Sequence, residues 1–117
     1  MLEKEFLVED RHSASQMGSG DLEVLSTPSM IAFMENVAKE LAEEKLEPGE
    51  TTVGIDLNVQ HIKATALGKN VRIEATVTDL KKTILFYDIE AYEEENLIGK
   101  ATHKRAIVNA SKFMENL

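Results

Sequence analysis

Residues 26–46 constrain this chain more than any other stretch. Met30, Phe33, Met34, Val37, Ala38 and Leu41 recur at spacings of three and four, the pattern of a helix with one apolar face. Ser26 or Thr27 can cap its free amides, and Pro28 suits a first turn that has no use for the missing N–H. The run Leu46-Glu47-Pro48-Gly49-Glu50 closes it, because proline lacks a donor and drives the preceding residue toward extended geometry. At a rise of 1.5 Å per residue, ~18 helical residues span about 27 Å. A helix of that length needs one broad apolar surface to lie on.

The second half of the chain supplies it. Val53, Ile55, Leu57 and Val59 alternate with Gly54, Asp56, Asn58 and Gln60, which predicts a half-buried strand with the first set inward. Val71, Ile73, Ala75 and Val77 form a second such set, and Leu85, Tyr87, Ile89 and Ala91 a third within residues 83–92. A fourth strand covers residues 97–109, where Ala101 and Ile107 share one parity and Ala106 and Val108 the other, so a bulge between them is expected. The breaks at residues 79–82 and 93–96 are short enough for antiparallel connections. Upstream, residues 3–9 read as a strand through Phe6 and Val8, and the serine- and glycine-rich residues 10–21 as a mobile loop. The expected fold is α+β over residues 1–117 as one domain, with one long central helix packed on an antiparallel β-sheet. Open sheet edges and a single helix predict a homodimer.

Composition narrows the function. The chain carries 21 acidic against 13 basic residues, a net charge of −8, which opposes nucleic-acid and anionic-membrane binding. It has no cysteine, which removes disulfides, thiolate zinc sites and thiol catalysis. No apolar run approaches the ~20 residues of a membrane span, and Met1-Leu2-Glu3-Lys4-Glu5 is too acidic for a signal peptide. A soluble, cytoplasmic protein is expected. Phosphate-cradling glycine loops, paired metal-ligating histidines and a nucleophile elbow are missing from the sequence, so neither metal nor cofactor is expected.

Three residues stand out chemically. Glu35 falls at the border of the helix's apolar stripe, where a carboxylate against apolar neighbours tends to have a raised pKa and suits acid–base work; the simpler alternative is a flank residue paired with Lys39 at i,i+4. His61 continues the parity of Val59 and points toward the helix, as a site residue or a satisfied structural histidine. Thr27 places a hydroxyl beside first-turn amides that could hold an oxyanion, or it is a plain N-cap. Gly54 interrupts a strand of branched neighbours, marking close approach of a ligand or the helix, or a bulge. His103 is a weaker candidate because its strand's facing is open, and His12 is expected to be exposed in the loop.

The run Ser26-Thr27-Pro28-Ser29-Met30-Ile31-Ala32-Phe33-Met34-Glu35, its distance to Leu46-Glu47-Pro48-Gly49-Glu50, then Val53-Gly54, His61, Gly68 and Gly99-Lys100-Ala101-Thr102-His103-Lys104-Arg105-Ala106, resembles the hot-dog-fold thioesterases, in particular fluoroacetyl-CoA thioesterase-like proteins. The similarity runs from about residue 23 to 113. The resemblance implies a hot-dog fold, a helix wrapped by an antiparallel sheet, with sites formed between the subunits of a homodimer and two dimers stacking into a tetramer as the larger alternative. It places the family's catalytic hydroxyl, carboxylate and imidazole on Thr27, Glu35 and His61, and its acyl-contacting glycine on Gly54, with Pro28 beside Thr27 at the substrate. The aromatic and aliphatic lid residues of the fluoroacetyl-specific enzyme have no counterparts in residues 10–21, so the reaction class carries over and the acyl group stays open.

The implied reaction is hydrolysis of an acyl-CoA-type thioester to acid and thiol, with a coenzyme A thioester as substrate and no separate cofactor. Lys63, Lys69, Lys104 and Arg105 are candidates for meeting the CoA phosphates of an acidic protein's ligand. The alternatives are a non-catalytic acyl-CoA-binding dimer and an enoyl-thioester hydratase on the same fold.

Overall fold

The computed structural model describes residues 1–117. In chain order it contains β1 (Leu2–Leu7), a 3-10 turn (Asp10–His12), α1 (Ala14–Met17), α2 (Thr27–Ala42), a second 3-10 turn (Glu43–Lys45), β2 (Glu50–His61), β3 (Asn70–Lys81), β4 (Ile84–Glu93), β5 (Asn96–Asn109) and α3 (Ala110–Glu115). The strands make one antiparallel sheet in the order β1-β3-β4-β5-β2, with β1 and β2 at its edges. Two-residue hairpins join β3 to β4 and β4 to β5, each opening on a residue at positive φ, Lys82 and Glu94. The second turn falls within the predicted break at 93–96, whereas the first lies at 82–83 because residues 79–81 still pair with β4.

Helix α2 lies across one face of this sheet, as its periodicity requires. Met30, Phe33, Met34, Val37, Ala38, Leu41 and Ala42 are buried on it, against Val71, Ile73 and Ala75 of β3 and Leu85, Tyr87, Ile89 and Ala91 of β4. Full burial of each larger aliphatic side chain stabilises the fold by about 1.5–3 kcal/mol. The buried Tyr87 hydroxyl donates to the Ala38 carbonyl at 2.9 Å, so sheet and helix are joined by a directional bond as well as by packing. Phe6 of β1 stacks on Phe33 with ring centroids 4.5 Å apart. Gly99 of β5 leaves room for Met30, whose sulfur sits where a Cβ would be.

The structure differs from the sequence expectation in three places. Residues 10–21 are ordered rather than a loose loop: the buried Ser13 hydroxyl accepts from the Gln16 amide to start α1, and Gly18 ends it in the left-handed region. His12 is half-buried, its Nδ1 accepting from the Glu9 amide and its ring set edge-on to Phe33. In β2 a bulge between Gly54 and Asp56 reverses the facing of everything before it. Leu57, Val59 and His61 face the helix side as expected, but Thr52 and Gly54 do so in place of Val53 and Ile55, and Ile55 is exposed. The bulge of β5 sits at Ile98, opposite Ala91 and Tyr92, and not between residues 101 and 107. Beyond it Gly99, Ala101, His103 and Arg105 are all buried.

The start of α2 resolves which hydroxyl caps it. Ser26 is the N-cap and accepts from the Ser29 amide at 3.1 Å, leaving Thr27 free for another partner. Ser26→Ala is therefore expected to lower unfolding free energy by about 1 kcal/mol and Thr27→Ala by clearly less, as read by urea denaturation; the reverse order would contradict this assignment.

Candidate active site

Two clusters carry the chemistry. The first is at the start of α2, where Thr27 Oγ1 and His61 Nδ1 share a hydrogen bond of 2.7 Å. Both sides of the pair are pinned by backbone. The Leu25 amide donates to the Thr65 carbonyl at 2.8 Å and the Ser26 amide to the His12 carbonyl at 2.9 Å, which fixes the entry to α2. The amides of Ile62 and Lys63 both donate to the Ile98 carbonyl, which fixes the end of β2. His61 Nε2 is buried without a well-formed hydrogen bond. Burial pushes the imidazole below the ordinary histidine range, and an interaction with the Lys63 backbone offsets part of that shift. A neutral imidazole beside a hydroxyl can take that hydroxyl's proton.

The amides at the helix start offer less than the sequence suggested. Pro28 has no N–H, and the Ser29 amide is taken by Ser26. Thr27's own N–H is the first-turn donor left without an acceptor in the chain, so an oxyanion here would rest on one backbone amide rather than several.

The second cluster forms around Glu35. Its carboxylate does not face apolar groups and does not pair with Lys39, which lies 4.0 Å from Glu43 instead. Glu35 Oε2 accepts from Arg105 Nη1 at 3.3 Å and stands 3.9 Å from His103 Nε2. Arg105 is 7% exposed and its fork is nearly filled: Nε donates to Thr52 Oγ1 at 2.9 Å and Nη2 to the Thr52 carbonyl at 3.2 Å. Gly54 completes the cradle, since a Cβ there would collide with Glu35 Oε2. Both open readings of this glycine hold: it sits at the bulge, and the helix carboxylate approaches it closely.

The structure thus brings together Thr27 with His61, and Glu35 with Gly54 and Arg105, but not the two groups in one protomer. Eight residues of α2 separate Thr27 from Glu35, about 12 Å of helix, and Gly54 and His61 stand toward opposite ends of β2. Pro28 is exposed beside Thr27. Arg105 and Lys104 part company: Arg105 is buried against Glu35, whereas Lys104 lies on the opposite face, 4.0 Å from Asp56 and over the Phe86 ring. The two side chains therefore stand on opposite faces of the sheet. In the sequence His103 is a weaker candidate because the facing of β5 is open, and Thr52 and the structural part played by Arg105 are hidden because they depend on that facing and on the β2 bulge.

A cavity of about 350 Å³ opens beside Thr27 and His61, lined also by Ala14, Ser19, Val24, Ile62, Lys63 and Ala64. The ordered residues 10–21 form one of its walls. A larger hollow of about 660 Å³ lies on the other face of the sheet among Asn58, Gln60, Glu90 and Lys100, away from both clusters.

A long helix laid on a five-stranded antiparallel sheet, with a hydroxyl–imidazole pair at the helix start and a carboxylate two turns on, defines a hot-dog fold of the thioesterase type. Residues 8–111 match the family model described as fluoroacetyl-CoA-specific thioesterase, and the chain belongs to this family. It is 32% identical over 91 residues to the fluoroacetyl-CoA thioesterase of Streptantibioticus cattleyicolor, an alignment covering 78% of this chain and 66% of that one, just under two thirds of the relative's length. A crystal structure of an alanine mutant of the fluoroacetyl-CoA-specific thioesterase FlK, in complex with fluoroacetate and CoA, superimposes with a TM-score of 0.93 at 25% identity, covering 99% of this chain and 95% of that one. A thioesterase-superfamily protein of Thermus thermophilus shares the fold at 23% identity, with a TM-score of 0.88 over 97% of this chain and 84% of its own.

The half-buried His61 and the buried His103 set a pH dependence. Burial lowers the pKa of both His61 and His103 in the folded chain. Protons therefore bind the unfolded chain first as pH falls through the ordinary histidine value, and stability is lost on that side. Thermal unfolding is expected at lower temperature at about pH 5.5 than at about pH 7.5, with a shallower slope in His61→Gln. An unchanged slope in that variant would contradict burial of a neutral imidazole.

Proposed function

We propose that this protein is an acyl-CoA thioesterase acting as a homodimer, each site taking Thr27 and His61 from one protomer and Glu35 from the other. The observation that carries this reading is the split within one chain: a complete hydroxyl–imidazole pair lacks a carboxylate, and a held carboxylate lacks that pair. A second copy supplies what each half lacks. β2 is an edge strand with one side unpaired. Two copies of β2 paired antiparallel about a two-fold axis at Asn58 would set Leu57 opposite Val59 and, past the bulge, Gly54 opposite His61, bringing Glu35 toward the partner's cavity.

In the proposed reaction the thioester carbonyl enters the cavity beside Thr27, whose N–H donates to its oxygen. Glu35 takes a proton from water as the water oxygen bonds to the acyl carbon, or its carboxylate attacks directly and water opens the resulting anhydride. On either route the C–S bond breaks, one water is consumed, and acid and thiol are released. His61, neutral and bonded to Thr27, accepts and returns protons. Lys63, lining the cavity, is the cation placed to meet the phosphates of CoA in an otherwise acidic chain. The family membership and the relative crystallised with fluoroacetate and CoA support a CoA thioester as substrate.

Release of free thiol from a panel of short acyl-CoAs tests the reaction and identifies the acyl group. Glu35→Ala and His61→Ala are each expected to lower kcat/KM by about 100-fold or more; Glu35→Ala also lowers thermal stability, because it leaves the buried Arg105 charge without its carboxylate. No thiol release across the panel would leave the binding module, and turnover of enoyl-CoA without thiol would leave the hydratase. Mixing the two inactive variants and allowing subunits to exchange tests the shared site. Half of the dimers become mixed, and each regains one of two sites, so about a quarter of wild-type activity returns. No recovery after verified exchange would contradict a site built across the interface.

A further inference from the structure

We propose that His103 is a positioning residue: a neutral imidazole that ties the β2 bulge to the Arg105 guanidinium and thereby sets the direction in which Glu35 points. The inference rests on the reading of Glu35 as the reacting carboxylate, and adds a residue that does not itself meet substrate.

The hydrogen-bond roles fix the tautomer. His103 Nδ1 lies 2.8 Å from the Asp56 carbonyl oxygen, which can only accept. Its Nε2 lies 3.3 Å from Arg105 Nη1, which can only donate. The ring therefore carries its proton on Nδ1 and a lone pair on Nε2. Asp56 is the residue immediately beyond the bulge, so the Nδ1 bond secures the backbone distortion that turns Gly54 toward the helix. The Nε2 bond holds the same guanidinium arm that donates to Glu35. Imidazole, guanidinium and carboxylate thus form one chain of contacts running from bulge to helix, and the ring that starts it is 2% exposed.

The groups facing the ring explain why it works only when neutral. Arg105 stands beside it on β5, Glu35 reaches it from α2 at 3.9 Å, Asp56 meets it from β2, and the Tyr87 ring of β4 packs at 5.6 Å. Burial holds the imidazole below the ordinary histidine range; its bond to the Asp56 backbone opposes that shift, Arg105 adds to it, and the charges of Glu35 and Asp56 work against it. A second proton would set Nε2–H against the Arg105 N–H and in competition for Glu35. The carboxylate would then be shared between two cations instead of held by one.

The direct test is nitrogen-15 imidazole NMR of the wild-type protein at pH 7, which reports the protonation of each ring nitrogen without any reference to activity. The expected result is a proton on Nδ1 and a bare Nε2 for His103; a proton on Nε2, or an imidazolium, would overturn the proposal. Kinetics then test the positioning. His103→Gln places a side-chain carbonyl near the Nε2 position and can still accept from Arg105, whereas His103→Asn keeps a donor near Asp56 and loses the Arg105 acceptor. His103→Asn is expected to lower kcat by about 10- to 100-fold with KM within about twofold, and His103→Gln to recover most of that loss. Equal kcat in the two folded variants, both high or both low, would overturn it, and if either fails to fold the tautomer measurement decides alone. A wild-type protein inert toward every thioester would refute the proposed function and leave the tautomer result standing, so the two failures are distinguishable.

Discussion

Everything around Glu35 follows from placing a guanidinium inside a small domain. Arg105 is 7% exposed, and a permanently charged group so far from water must find both counter-charge and hydrogen-bond acceptors within the fold. Glu35 gives the charge, and the Thr52 hydroxyl, the Thr52 carbonyl and His103 give the acceptors. Thr52 can serve only because the bulge turns it inward, and Glu35 can lie flat on β2 only because residue 54 has no side chain. One buried charge thus ties together a strand irregularity, a glycine and the orientation of a helix carboxylate.

The two halves of α2 consequently have different tasks. Its first turn presents Thr27 to His61 at the mouth of a cavity, while its middle turns hold Glu35 over the sheet. Its apolar face, locked by Met30, Met34, Val37 and the Tyr87 bond to Ala38, keeps both groups at a fixed spacing. Such rigidity suits the proposed site of two copies, because reacting groups on different chains share no local backbone to align them and depend on the stiffness of the elements that carry them.

Where the backbone is regular, the sequence was a sufficient guide. Val71, Ile73 and Ala75, and Leu85, Tyr87, Ile89 and Ala91, are buried as their alternation requires, and the stripe from Met30 to Leu41 packs as its spacing requires. Thr27, Glu35, Gly54 and His61 could be singled out because each breaks its local pattern chemically. Irregularity is what periodicity could not supply. The bulge at Gly54 inserts one residue and flips Thr52 inward in place of Val53, and until that flip is known neither Thr52 nor the partners of Arg105 can be named. On β5 the alternation of small and basic residues, Ala101 to Ala106, carries too little hydrophobic contrast to show that His103 and Arg105 face inward. Residues 10–21 looked unstructured because their order comes from the caps Ser13 and Gly18 and from backbone bonds to residues 22–26, none of which leaves an apolar periodicity.

For the shared site to exist, a carboxylate held by Arg105 in one protomer must meet the hydroxyl–imidazole pair of another. A crystal structure of the Glu35→Gln protein with intact acetyl-CoA reads that meeting without turnover. The predicted result is an acyl carbon lying between the substituted side chain at position 35 of one protomer and the Thr27–His61 pair of its partner, across an axis near Asn58. Acetyl-CoA bound with its acyl carbon out of reach of position 35 from either protomer would contradict it.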